Sequence, residues 1–151
     1  MTTIRSWRRE DLPRVGGLLA ELAAALGEDF KPDAALLAEH FDAMAEAPGV
    51  YRNFVAELDD RVVGFLSLAC YRSAFHRKGT VLVNELAVEE RARGLGVGGA
   101  LIEHALDLAR DEGWDELEAG VMKDNEGAIR FYKAHGISEE YLLLGKEFDE
   151  A

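Results

Sequence analysis

The chain has 151 residues, 48% of them hydrophobic, and one cysteine; that fits a single globular domain able to bury roughly 70% of its unfolded surface, and it excludes an internal disulfide. A net charge of -12 argues against a sequence-independent DNA or RNA binder, whose affinity rests on Lys and Arg neutralising phosphates, and it suits a cationic partner, drawn to an acidic surface. The polar start MTTIRSWRRED and the absence of an 18-residue apolar run carry no signal-peptide or membrane-span pattern, so the expected setting is cytoplasmic and away from a membrane.

In chain order, a strand is expected over residues 3–7. Asp11 and Pro13 then open a helix in which Leu12, Val15, Leu18, Leu19, Leu22 and Leu26 recur at three- and four-residue spacing. A second amphipathic segment carries Leu36, Leu37, Phe41 and Met44, and Pro48 with Gly49 ends it. Two strands, 50–58 and 61–71, are joined by a tight Asp59-Asp60 turn that predicts a hairpin. A strand-like run, VLVNELAV, covers 81–88, and a Gly-rich turn follows it into a helix with Leu101, Ala105 and Leu108 on its buried side. Gly113 stops that helix before a strand in which Leu117, Ala119 and Val121 alternate with Glu116, Glu118 and Gly120. Asp124 or Asn125 can cap the next helix, and a final strand is expected over 137–148. There is no repeat and no linker, so one domain over 1–151 is expected.

The Gly-rich turn is the most informative stretch. Gly94, Gly96 and Gly98 remove side chains that would hold a ligand away from backbone N–H groups, and the first helical turn adds unpaired donors and the positive end of a dipole. With Leu95, Val97 and Gly99 completing the turn, and Arg91 and Arg93 beside it, the segment reads as a pyrophosphate cradle. Gly94, Gly96 and Gly99 also satisfy the dinucleotide fingerprint G-x-G-x-x-G. In a Rossmann fold, however, the first Gly follows the strand almost directly, whereas Glu89, Glu90, Arg91, Ala92 and Arg93 intervene here and half the chain lies upstream. A P-loop is excluded because no Lys-Ser or Lys-Thr follows the glycines.

Arg91, Gly94 and Gly96 spell [RQ]-x-x-G-x-[GA] after a strand, and Asn125, Ala128, Phe131, Tyr132 and Gly136 in NEGAIRFYKAHG form a second pattern downstream. In this order and at this separation, the two patterns resemble the GCN5-related N-acetyltransferase (GNAT) family, over residues 81–137. The resemblance implies an α/β fold of the α+β type, with a mixed, mostly antiparallel sheet flanked by helices and splayed between two central parallel strands. It implies acetyl-CoA as acyl donor and no metal. The backbone of Leu86, Ala87 and Val88 would pair with the pantetheine arm, Asn125 would contact that arm, and Tyr132 would approach the sulfur. Arg91, Arg93, Gly94, Leu95, Gly96, Val97, Gly98 and Gly99 would hold the pyrophosphate.

Attack of an amine on a thioester sets three requirements. An ammonium with an ordinary pKa near ~10 must lose a proton, the carbonyl oxygen needs fixed donors worth roughly 3 to 4 kcal/mol each, and the departing thiolate benefits from an acid. Backbone N–H groups near Ala87 and Val88 are the candidate donors and Tyr132 the candidate acid. Some relatives carry a base where this chain has Gly120. Glu85 is therefore the first choice as base or ammonium-binding carboxylate, Glu118 the second, and His76 a candidate for the acceptor pocket. The expected acceptor is a primary amine of a small molecule or peptide, with cationic ones favoured by charge. The alternatives are a protein N-terminal or lysine acetyltransferase and a coenzyme A-binding regulatory module without turnover. Exposed terminal strands also make a homodimer an expectation.

Overall fold

Asp59 and Asp60 both take positive φ, 53° and 61°, the conformation of a two-residue type I′ turn whose twist matches that of the strands it joins. That turn pairs Leu58 with Arg61 and fixes the register of β2 (Tyr51–Leu58) against β3 (Arg61–Arg72). The computed structural model describes residues 1–149. Its sheet has the order β1 (Thr2–Ser6), β2, β3, β4 (Gly79–Val88), β5 (Glu116–Ala119). The first four strands pair antiparallel; β4 and β5 pair parallel. α1 (Leu12–Ala25) and α2 (Ala34–Ala45) connect β1 to β2, α3 (Val97–Asp111) connects β4 to β5, and α4 (Glu126–Ala134) follows β5. Among the described residues no helix is long and apolar enough to cross a membrane.

The sheet separates two apolar clusters. On one face Val63, Leu66, Leu68, Val81 and Val83 pack with Val97, Leu101, Ile102 and Ala105 of α3, and Phe131 and Tyr132 of α4 lie against them. On the other, Val55, Val62, Phe65 and Ala87 pack with Val15 and Leu18 of α1. Gly64 lets α3 approach: a methyl group there would stand 2.9 Å from Leu101 and 3.0 Å from Val97. Asp11, buried at the entrance to α1, binds both guanidinium nitrogens of Arg5 at 2.8 and 2.9 Å and accepts from the Arg8 amide. These contacts hold its carboxyl below the usual aspartate range and tie β1 to the helix.

The expected elements form with small shifts of boundary, except at the C-terminal end. β5 stops at Ala119, leaving Val121 exposed. The strand expected over 137–148 is not formed: 137–149 contains neither helix nor strand. Ile137 is anchored, donating to the Tyr132 carbonyl at 3.0 Å and packing on the α3 cluster, but Tyr141, Leu142, Leu143, Leu144 and Phe148 are all exposed. The physical reason is the lack of a ladder. An apolar alternating segment becomes a strand only when another strand takes up its N–H and C=O groups, and among the described residues the bonded neighbour of β5 is β4 alone.

Candidate functional site

β4 leads into the turn through Glu89, whose amide donates to the Val63 carbonyl at 2.8 Å. After the short 3-10 turn Glu90–Ala92, Gly94 and Gly96 both adopt φ of +83°, a region that side-chain-bearing residues rarely enter, and α3 begins at Val97. A Cβ on either glycine would meet nothing within 4 Å, so the turn opens onto free space. Helix geometry leaves the N–H groups of Val97, Gly98 and Gly99 without intrahelical acceptors at this opening. Gly98 and Gly99 have a second role that their place in the motif does not reveal. Their missing side chains would lie against Phe131 and His135, so they seat α4 on α3.

The surroundings are locally basic on an acidic protein. Arg91 and Leu95 are exposed, and Arg93 reaches the Val88 carbonyl at 3.4 Å. Buried Glu89 is bracketed by Arg61 and, at 3.4 Å, by Arg14. Arg14, Arg61 and Glu89 carried no signal in the sequence because the pairing joins three remote segments. A cavity of about 170 Å³ lined by Arg61, Arg91 and Leu95 opens here. A larger one, about 500 Å³, lies at the opposite end of the sheet, by Arg72 and Trp114. There the C-terminal, negative end of α3 disfavours an anion. Arg52 is already held by Glu112, and Lys78 by the Glu112 carbonyl.

The second part of the site is a gap in the sheet. β4 and β5 pair from Thr80↔Glu116 to Val83↔Ala119 and no further, so Leu86, Ala87 and Val88 are bonded to β3 on one side and have no β5 partner on the other. The register with β3 shifts at this level: Leu68 faces Val83 whereas Ser67 faces Glu85, leaving Asn84 as an extra, bulged residue. The bulge reverses the alternation. Leu86 and Val88 remain on the α3 and α4 face with Tyr132, while Glu85 and Ala87 turn to the α1 and α2 face.

Two titratable groups therefore stand on opposite faces of the sheet. The Tyr132 phenol, half-buried with its ring 5.2 Å from that of Phe131, is pushed up by burial and stays protonated at neutral pH. The Glu85 carboxyl is also pushed up by burial, against the opposing pull of the Ser67 hydroxyl and of His40. Asn53, Ser67 and Glu85 sit side by side across three strands, and Asn53 Oδ1 is buried without a hydrogen-bond partner among the described residues. Sequence reasoning named Glu85 but missed its neighbours Asn53 and Ser67. Their only signal was a polar Ser and a polar Asn inside otherwise apolar strands.

On the same face, Glu116 accepts from the Thr80 hydroxyl at 2.9 Å and lies 3.4 Å from His76 Nε2. Glu118 is pushed up by burial and by its neighbour Glu116. Glu85, Glu116, Glu118 and His76 thus lie on one acidic face of the sheet, Glu85 beside the gap and Glu116 with His76 at the paired end of β4 and β5, whereas Gly120 lies beyond the end of β5. Asn125 is placed by capping α4, its Oδ1 accepting from the Ala128 amide at 3.1 Å, which leaves the side-chain NH₂ for other partners.

The Acetyltransferase (GNAT) family model matches residues 4–137. The chain belongs to the GNAT acetyltransferase family. An uncharacterized N-acetyltransferase of Methanocaldococcus jannaschii is 34% identical over 93 residues, 61% of this GNAT chain and 41% of the relative. The L-amino acid N-acetyltransferase AaaT of Escherichia coli is 29% identical over 116 residues, 72% of this chain and 68% of the relative. The matched stretch spans less than two thirds of the first curated relatives. Among solved structures, a transcriptional regulator of Bacillus halodurans superposes with a TM-score of 0.85 at 22% identity, covering 98% of this chain and all of the other, which establishes likeness of fold.

Proposed function

We propose that residues 1–151 work as one acetyl-CoA-dependent N-acetyltransferase domain, passing the acetyl group to a primary amine of a small molecule or peptide by direct attack in a ternary complex. The observation that carries this reading is the placement of the Gly94–Gly96 turn beyond the β4 end at which the β4/β5 gap opens, with Tyr132 on one face of the sheet and Glu85 on the other. Open space over both glycines, the α3 N-terminus and Arg91 and Arg93 fit a pyrophosphate. The free side of Leu86, Ala87 and Val88 fits an extended amide-bearing arm, which would pair there as a strand pairs with an edge.

In this reading the donor enters from the α3 and α4 face and the acceptor from the α1 and α2 face. The amine nitrogen bonds to the thioester carbonyl carbon, the C–S bond breaks, and backbone N–H groups near Ala87 and Val88 steady the oxyanion. Glu85 takes the amine proton and Tyr132 gives one to the departing thiolate. Both groups suit these tasks, because burial keeps the phenol protonated and makes the carboxylate a stronger base than an exposed one. Glu116 and Glu118 favour a cationic acceptor, in keeping with the net charge of -12. An L-amino acid or a peptide amine satisfies this chemistry, and the name of the Escherichia coli relative agrees with the first.

The test is thermal stability with acetyl-CoA, coenzyme A, NAD and ATP in parallel, where ligand at ~100 times its Kd should stabilise by about 2.7 kcal/mol, followed by an amine screen with free-thiol detection. A shift with acetyl-CoA and thiol release with an amine support the reading. A shift without release from any amine favours a coenzyme-binding module without turnover, and a response to NAD alone overturns the site.

A further inference from the structure

Ser67 has one hydroxyl proton and an acceptor on either side of it. The register pairs Asn53 of β2 with Ser67 of β3, and Ser67 with Glu85 of β4, so the three side chains stand in one row on the same face of the sheet. Directly opposed residues hold their Cβ atoms about 4.5 to 5.5 Å apart, and rotation about χ1 turns a Ser hydroxyl from one neighbour to the other. Both Asn53 and Ser67 are buried, at 6% and 3% exposure. On one side the Ser67 hydroxyl works against the effect of burial on the Glu85 carboxyl. On the other, Asn53 directs its NH₂ at Met44 Sδ, 3.4 Å away, and its Oδ1 is buried with no donor among the described residues.

A buried acceptor without a donor is destabilising, and most such atoms in folded proteins are paired. In this row the hydroxyl proton goes to the charged neighbour, because a hydrogen bond to a carboxylate is roughly twice as strong as one to a neutral oxygen. Protonation of Glu85 reverses the preference. A carboxylic acid has an O–H of its own to donate; once that bond goes to Ser67 Oγ, the Ser67 proton can turn to Asn53 Oδ1. The row therefore has two hydrogen-bond arrangements, one for each protonation state of Glu85. The other groups around Glu85 do not compete for the Ser67 proton. His40 is the charged group of α2 that acts on Glu85. α1 presents Val15 and Leu18 to this face, with Arg14 turned to Val62 and Glu89. Glu116 and Glu118 of β5 lie toward the paired end of the β4 and β5 ladder.

We propose that Ser67 is a two-position hydroxyl that donates to the Glu85 carboxylate before the reaction and turns to Asn53 Oδ1 once Glu85 has taken the amine proton, making Asn53 a positioning residue that steadies the protonated base. The transferred proton stays on Glu85 until it passes to solvent. The Ser67 O–H bond and the Asn53 amide are unchanged, so only the direction of the hydrogen bonds is exchanged. Asn53 thus strengthens the base from two strands away. The role of Glu85 as base rests on the acetyltransferase reading above, whereas the turning of Ser67 accompanies any gain or loss of a proton by Glu85.

The experiment is a carboxyl-carbon NMR titration of the full chain, with the Glu85 signal assigned by its loss in Glu85→Gln. It compares the wild type with Asn53→Leu, Ser67→Ala and the double variant, each checked for folding by circular dichroism, and it needs no turnover. Asn53→Leu should move the Glu85 midpoint down by about 0.5 to 1 pH unit, the equivalent of one neutral hydrogen bond. The same substitution should move nothing in the Ser67→Ala background, where the link between Asn53 and Glu85 is absent. Asn53→Ala repeats the comparison should Asn53→Leu not fold. A midpoint that stays in place in a folded Asn53 variant overturns the proposal, as does a shift of equal size with and without Ser67, which would mark Asn53 as a packing residue. In the active protein the acid limb of kcat/KM should follow the titration. A titration that moves while the acid limb does not upholds the turning of Ser67 and removes Glu85 as the base.

Discussion

The turn proposed for the coenzyme and the face proposed for the acceptor share strand β4, yet they are built differently. The turn is a backbone object. Gly94 and Gly96 hold left-handed conformations, α3 begins at Val97, and what the turn offers is N–H groups whose direction follows from helix geometry. The acceptor face is a side-chain object, gathered from β3, β4, β5 and the β3–β4 loop: Ser67, Glu85, Glu116, Glu118 and His76, with His40 of α2 near enough to act on Glu85. A backbone site tolerates change around it but not a change of its glycines. A side-chain site fails one function at a time, and its members differ in what they contribute.

The largest expected effect tests the first half. Gly96→Glu places a side chain on a left-handed residue and a negative charge where the pyrophosphate is proposed to sit, so acetyl-CoA should give no thermal shift and no heat of binding in a folded variant. Retained affinity would remove the turn from the site. Glu85→Gln tests the second half, with a loss of turnover of about 10² to 10⁴-fold expected for a general base and no change in coenzyme affinity. Its pH behaviour sharpens the point. Because Glu85 is pushed up by burial, the acid limb of kcat/KM should lie above the ordinary carboxylate range and disappear in the variant. The sign for stability is opposite to that for activity. A carboxyl that holds its proton more tightly when folded favours the fold fully below its unfolded pKa, and that contribution is lost as pH rises through the folded value. Glu85→Gln should therefore raise Tm at neutral pH and leave it unchanged in acid.

Tyr132→Phe should lower kcat by about 10²-fold, the low end for proton transfer by a positioned side chain, with coenzyme affinity retained; wild-type turnover would make Tyr132 a packing residue of α4. The smallest effect is expected of Asn125→Ala, which removes the cap of α4 and should cost about 1 kcal/mol in chemical denaturation. If Asn125 also binds the pantetheine arm, the same variant weakens coenzyme affinity, and the two readouts separate its roles.

Much of the fold could be read from local chemistry. Leu12, Val15 and Leu18 place α1 by their spacing, Asp59-Asp60 makes the hairpin, and Gly113 ends the region of α3. The turn was legible for the same reason: Arg91, Gly94 and Gly96 are neighbours in sequence, and conformation at a glycine is a local matter. The acceptor face was not legible. Glu85 and Glu118 could be named as carboxylates near the expected gap, but strand alternation alone would put Glu85 on the face of Val83, and the bulge at Asn84 turns it to the other.

Charge, periodicity, the hairpin turn and the Gly-rich turn were thus determined by the sequence itself, because each depends on residues within a few positions of one another. Which carboxylate meets Ser67, how Arg14 and Arg61 bracket Glu89, and why the apolar run at 141–144 stays without a ladder were decided only by the tertiary structure. Those outcomes depend on register, on a one-residue bulge and on the presence of a neighbouring strand, all of which arise between segments tens of residues apart.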